Sequence, residues 1–328
     1  MFDSGNTAVQ IDLFAPGAIP EKSSELTCLS VGLGQDSTAL LYKFAYDAEF
    51  RRQYAPGRLV CIFSDTGDEH PQTYKHLEHV KAFCSEHDIE FVHIEPSMGF
   101  HGNGWHSLRE QYNLHSTCGS KGGFAKSCTD RLKLGPIYRY LEHWIGREYD
   151  IHGRDKSGIK KFAQQHGKIK MIVGIAHGEE KRVKKEKARD LWQRVAIETI
   201  YPLIDLKMDR QACQDYIVSV GHEVPMPSNC ILCPYLSLQE LLWLHRFMPA
   251  DLEDWIRIEE NKIVKHALDG DRTKTMNRKG EIKNNLGVWG TKLLPEVLQE
   301  AIDKFGHLSD AELHEFKMSH GHCVASQY

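Results

Sequence analysis

Residues 26–42 read Leu-Thr-Cys-Leu-Ser-Val-Gly-Leu-Gly-Gln-Asp-Ser-Thr-Ala-Leu-Leu-Tyr, and the hydrophobic period changes inside them. An apolar run ends at Ser30. A loop with Gly32 and Gly34 follows, and then Asp36, Ser37 and Thr38 precede Leu40, Leu41 and Phe44, which begin a helical stripe. The pattern predicts strand, glycine loop, helix. Such a junction suits an anion, because a helix N-terminus leaves N–H groups without partners beside roughly half a positive charge. Glycines let the backbone approach a phosphate, and Ser37 and Thr38 add hydroxyl donors. An ordinary connection capped by Asp36 or Ser37 would have the same composition. No Gly-Lys-Ser/Thr follows the glycines, so the loop is not of the Walker type.

Outward from this stretch, residues 58–64 form a continuous apolar run of the kind a buried parallel strand shows. They lead into Asp65-Thr66-Gly67 and a helix to about His87, with Pro71 in its first turn. Residues 89–94 read as a third strand and residues 170–175 as the next core strand. This alternation predicts an α/β fold, a doubly wound parallel sheet with its ligand at the carboxyl ends of the strands. Residues 99–127, rich in Gly, Ser, His and Lys, have no period and read as irregular. Residues 209–220 read as a helix, and amphipathic helices begin at Leu238. Residues 271–290 read as a loop, residues 295–305 as a helix, and Ser309 with Glu312 as a capping box. The division is an arm over 1–24, an α/β domain over 25–235 and a helical region over 236–328.

At 328 residues the chain can bury a full core. A formal charge of −4 gives no global signal for nucleic acid, so any such contact must be local. The local candidate is the basic stretch from 154 to 194, including Arg154, Lys156, Lys160, Lys161, Lys168, Lys170, Lys181 and Arg194, which reads equally as a solvated face. No long apolar run and no signal-peptide pattern is present, which predicts a soluble, cytoplasmic protein without a membrane partner. Nine cysteines, an odd number in a long chain, argue for reduced thiols. Cys230 and Cys233 form a Cys-x-x-Cys followed by Pro234, a spacing that lets two thiolates meet one metal or do redox work. Cys128 is the obvious third ligand. Cys28, Cys61 and Cys84 fall on core faces and read as inert.

The glycine loop resembles the pyrophosphate loop (PP-loop) of the adenine-nucleotide alpha-hydrolase superfamily, in particular of the phosphoadenosine-phosphosulfate reductase-like family. Aligned on Asp36 and Ser37, Gly34 matches the family's second glycine, Gly32 stands in place of its serine and Leu33 in place of its first glycine. Ser30 lies two residues before the usual serine position. Asp65-Thr66-Gly67, with Pro71-Gln72-Thr73, is similar to the family's Asp-Thr-Gly and Pro-Glu-Thr. Cys128, Lys133 and Pro136 match its Cys-x-x-x-x-Lys-x-x-Pro, with Ser127 where iron–sulfur members begin a cysteine pair. Gly174, Ile175, Glu179 and Arg182 keep the register of its Gly-Ile-Arg-x-x-Glu-Ser-x-Arg, with Ala176 at its first arginine.

The resemblance implies an adenine nucleotide, ATP with Mg2+ or a sulfonucleotide (PAPS or APS). Its phosphates would rest on Ser30, Gly32, Gly34, Gln35, Asp36, Ser37 and Thr38, and its base and ribose near Asp65, Thr66 and Gly67. Gly174 would belong to the same site, with Lys133 and Arg182 facing the negative charge. Asp36, Ser37, Lys133 and Arg182 would be the catalytic set. It also implies a 4Fe-4S cluster on Cys128, Cys230 and Cys233, with Cys118 as the fourth ligand; zinc and redox-active thiols remain as alternatives. The implied chemistry is ATP cleavage to AMP and pyrophosphate coupled to adenylation or sulfur transfer. The setting would be nucleic acid or a multi-component mobile-element or defence system with protein partners. The alternatives are a sulfonucleotide reductase using Cys323, and a nucleotide-binding accessory subunit with little turnover.

Overall fold

The computed structural model describes residues 24–119, 127–183, 190–276, 280–283 and 287–320. Strand β1 (Leu26–Ser30) is followed by helices α1 (Gln35–Tyr46) and α2 (Ala48–Tyr54), then β2 (Arg58–Ser64), α3 (Pro71–Glu86) and β3 (Glu90–Ile94). After α4 (Leu108–His115), α5 (Gly135–Tyr149) and α6 (Ser157–His166) the chain returns to the sheet as β4 (Ile169–Val173), and after α7 (Leu191–Ala196) as β5 (Ile197–Ile200). All four pairings are parallel and the strand order is β3-β2-β1-β4-β5. The predicted doubly wound α/β sheet is therefore the observed one. The chain leaves β1 in one direction across the sheet and reverses to β4, so a crevice opens between the carboxyl ends of these two strands.

Alternation along the strands sorts side chains onto two faces. Leu29, Cys61 and Phe63 pack with Leu40, Leu41, Val80 and Phe83 on one side, joined by Ile217 from a helix after β5. Leu26, Cys28, Val60 and Ile62 pack with Leu141, Trp144, Ile159 and Phe162 on the other. Both faces being covered explains why residues 58–64 read as an unbroken apolar run.

The helix after the short α8 (Pro202–Asp205) is α9 (Arg210–Ser219), whose N-cap Asp209 accepts from Ala212 N–H. Beyond it lie α10 (Leu238–Phe247), α11 (Pro249–His266), α12 (Leu294–Phe305) and α13 (Asp310–Ser319). Ser309 and Glu312 make the expected capping box. Three features differ from the sequence reading. Residues 99–127 contain α4, started by Ser107 accepting from Glu110 N–H. Part of the expected loop at 271–290 pairs as an antiparallel sheet of Ala267–Leu268, Asp271–Met276 and Ile282–Lys283. The edge strand β5 was also unforeseen. Each is short, and tertiary pairing decides such segments more than propensity does.

α1 and α3 are tied by imidazoles. Thr38 Oγ1 lies 3.1 Å from His76 Nε2, and Tyr42 Oη 3.1 Å from His79 Nε2. Burial, with His79 and His222 beside it, pushes His76 down to about 4. His76 is thus neutral in the fold, while the unfolded chain takes up its proton at the ordinary value of roughly 6.5. Its contribution is complete above that value and is lost as pH falls toward 4. Urea titrations should show a loss of roughly 2–3 kcal/mol between neutral pH and pH about 4. His76→Gln should remove that part of the acid sensitivity; an unchanged profile would sink the assignment.

Candidate functional site

A cavity of about 110 Å³ fills the crevice between the ends of β1 and β4. One wall is the glycine loop with the first turn of α1: Ser30, Gly32, Gly34, Gln35, Asp36 and Ser37. Gly34 is the N-cap of α1 in extended conformation and supplies no side-chain cap, so the first N–H groups keep their donor capacity toward the cavity. Ser37 Oγ accepts from Gly32 N–H at 3.1 Å and donates to Gly34 O at 3.2 Å, which folds the loop on itself. Leu33 adopts φ +59°, the left-handed region that a glycine would enter without strain. Its side chain is fully buried in the core, which compensates for the backbone cost.

The opposite walls come from four later segments. Gly174 follows β4, and a Cβ there would stand 3.0 Å from Ser37 N and 3.2 Å from Asp36 C, so glycine lets the end of β4 approach the first turn of α1 closely. Lys133 lies in a π-helical turn (Thr129–Leu134) that runs into α5, a wide turn of a kind that recurs at functional sites. Arg182 and Arg210 supply two guanidinium groups, and Pro227, Ser228 and Asn229 close the remaining side. Ser228 also packs on the glycine loop, since a Cβ on Gly34 would sit 3.1 Å from its nitrogen.

The charges are mutually arranged. Asp36 Oδ1 is buried and has no hydrogen-bond partner among the described residues, while Oδ2 lies 4.0 Å from Arg210. Burial raises the Asp36 carboxyl above its ordinary value, with Arg210 opposing. Glu179 bridges the two arginines, accepting from Arg182 and, at 2.8 Å, from Arg210. Lys133 Nζ lies 3.4 Å from Glu69, whose carboxylate is wholly buried. Lys133, Arg182 and Arg210 are thereby matched by Asp36, Glu179 and Glu69. A polyphosphate entering so balanced a site needs a cation of its own.

Of the residues expected at the phosphates, Thr38 does not line the cavity and bonds His76 instead. Asp65, Thr66 and Gly67 also stand off its wall. Asp65 Oδ1 accepts from Gly67 N–H at 2.8 Å and Tyr74 Oη at 2.9 Å, and Gly67 lies under the backbone of His106. Sequence reasoning missed Arg210, residues 227–229 as a wall, and Glu69. An arginine just after a helix cap is common on surfaces, and nothing local marks this one.

Cys118, Cys128, Cys230 and Cys233, drawn from three distant segments, all stand within electrostatic reach of the buried Tyr112 hydroxyl, which donates to Leu232 O at 3.4 Å. Burial pushes the Cys118 thiol up to about 12. Burial also raises Cys230, with Glu69 acting the same way and Lys133 against it. Among the described residues no group of three or more His, Cys, Asp or Glu side chains has the arrangement of a metal site. Cys28, Cys61 and Cys84 are buried as expected.

The cysteines and the cavity share a wall. Residues 228 and 229 face the cavity and Cys230 is next in the chain. There Glu69 and Cys230 form an antiparallel bridge, with Ile231 N–H donating to Asp68 O at 2.8 Å. The Glu69 carboxylate accepts from Ser228 Oγ and Thr66 Oγ1, each at 3.1 Å, with Cys230 Sγ 3.9 Å away. Thr66 thus works on the thiol side.

The basic stretch from 154 to 194 is divided. Lys168 and Lys170 lie at the amino end of β4 and Lys181 beyond its carboxyl end, and residues 184–189 fall outside the described residues, as does Cys323. No described helix is long and apolar enough to cross a membrane. Comparison with protein-family models and with curated proteins finds no match for this chain.

Proposed function

We propose that the cavity binds an adenine nucleotide, ATP with Mg2+, and that the enzyme cleaves it between the alpha and beta phosphates, coupling the cleavage to adenylation or sulfur transfer. The observation that supports this reading is the shared wall: the segment against the glycine loop continues directly into Cys230, so a thiol stands close to the anion-receptive loop.

The N–H groups at the start of α1 receive phosphate oxygens, joined by the Ser37 hydroxyl when it turns from Gly34 O. Lys133, Arg182 and Arg210 take up charge on the departing pyrophosphate. An acceptor oxygen forms a bond to the alpha phosphorus as the bond to pyrophosphate breaks, and a sulfur nucleophile then displaces AMP. Asp36, with an orphaned buried oxygen, fits a divalent cation carried by the nucleotide. That cation would neutralise the phosphates and polarise the reacting phosphoryl group. Cys118, Cys128, Cys230 and Cys233 offer the donor chemistry of a 4Fe-4S cluster, which would supply or carry sulfur. The assignment rests on the donor types and on the resemblance, since among the described residues these thiols are not grouped as a metal site.

Incubation with ATP and Mg2+ should release AMP and pyrophosphate in equal amounts. Release of ADP, or no cleavage with any acceptor supplied, would overturn the reading, and binding of sulfonucleotides alone would favour a reductase. Metal analysis of anaerobically purified protein should find iron with acid-labile sulfide; zinc alone would remove the cluster.

A further inference from the structure

The arginine pair at the cavity carries a ligand substitute built from the chain itself. Arg182 Nη1 and Arg210 Nη2 both point at the Glu179 carboxylate, one to each oxygen. Two guanidinium groups, one on each oxygen of a single anion, form a charge-assisted clamp that a phosphate's oxygens can also fill. Both arginines line the cavity, whereas Glu179 does not. Although burial acts to raise it, Glu179 is held below its ordinary carboxyl value by Arg182 and Arg210, so it stands there as an anion.

Two further observations bear on what happens when a ligand enters. Asp36 places a second carboxylate 4.0 Å from Arg210, with its other oxygen orphaned, so Arg210 stands between two carboxylates and keeps Asp36 as a partner when Glu179 leaves. The turn carrying Glu179 includes Gly178 at φ +88°, and a Cβ there would meet nothing within 4 Å. The Glu179 side chain itself is 18% exposed, so one side of it faces solvent.

Resting on the nucleotide reading above, we propose that Arg210 is a phosphate-binding residue paired with Arg182, and that Glu179 occupies their shared clamp until a diphosphate group displaces it. The consequence is selectivity. A ligand with one weakly charged oxygen cannot release both guanidiniums from Glu179, whereas a pyrophosphate moiety accompanied by a divalent cation can. If Glu179 instead served only to hold the arginines in place, its removal would weaken anion binding. The two roles differ in sign.

The test is calorimetric titration of inorganic pyrophosphate with Mg2+ into the full chain. Glu179→Gln should tighten binding at least fivefold, Glu179→Ala should act in the same direction, and Arg210→Met should weaken it at least tenfold, all with melting curves that confirm folding. In the wild-type protein, phenylglyoxal modification of Arg210, read by peptide mass spectrometry, should be slowed by pyrophosphate and not by an equal concentration of AMP. Weaker or unchanged binding by Glu179→Gln, or modification of Arg210 indifferent to pyrophosphate, overturns the proposal while leaving the nucleotide site standing. Absence of both pyrophosphate and ATP binding in every variant overturns both.

Discussion

Asp36→Asn is expected to reduce ATP cleavage by about 10²–10³-fold, the size of losing one group aimed at the charge that develops during reaction, while raising the melting temperature. The two effects have one cause. Asp36 is held at the start of α1 with Oδ1 buried and unpaired, and burial raises its carboxyl above the ordinary value. The fold therefore binds a proton there more tightly than the unfolded chain does. Stability linked to this group is greatest at low pH and falls as pH rises through the raised value. Once ionised, the buried carboxylate is a local cost that a divalent cation would relieve. The neutral amide removes that cost and also the cation's partner. Thermal melts at pH 7 should place the Asp36→Asn variant above wild type without ligand, and Mg2+ should stabilise only the wild type. An equally active or less stable variant would sink the assignment.

Lys317→Met is expected to cost about 3–5 kcal/mol of stability, the range for breaking one side of a buried ion pair. Lys317 on α13 and Glu240 on α10 are 3.2 Å apart with side chains only 1% and 3% exposed. Burial lowers the lysine, and Glu240 acts to restore it. Its ammonium also lies 5.6 Å from the Trp243 ring centroid, and the Asn229 amide, turned to satisfy its neighbours, accepts from it at 3.2 Å. Removing the cation takes the ammonium from a buried carboxylate that keeps only its shorter-range hydrogen bonds, among them those from Ser237 N–H and Oγ. Adding Glu240→Gln, which keeps the capping oxygen for Ser237, should recover all but about 1–2 kcal/mol, because no buried charge is then left alone. Urea titrations of the two single variants and the double variant decide this. A single-variant loss below about 1 kcal/mol would contradict it. The pair also matters to the site. Asn229 lines the cavity, and Gln35 donates to Met318 O at 3.0 Å, so α13 braces the glycine loop and the wall opposite it.

The α/β sheet, its parallel strands and the glycine loop at the crevice were legible in the chain because each rests on a local pattern. Apolar runs bounded by turn residues mark buried strands, and Gly32, Gly34 and Gly174 stand where strand ends meet helix starts. Lys133 and Arg182 were legible through motif register. Leu33 was not, since its left-handed backbone is tolerated only because the core takes up its side chain. The short segments at 108–115, 197–200 and 271–276 were likewise illegible, because partners far along the chain stabilise them.

Sequence alone determined the periodicities and therefore the layers, the order of the strands' helices, and the kinds of chemistry available: an anion-receptive helix start, scattered cations and nine thiols. Only the tertiary structure decided which of these act together. It brought Arg210 to the cavity at the glycine loop, set Glu179 between two arginines, moved Thr66 to the thiol side through Glu69, and put four cysteines within electrostatic reach of Tyr112. The reason is physical: periodicity is written in neighbouring residues, whereas electrostatic pairing depends on distances in space that the sheet's crossovers create.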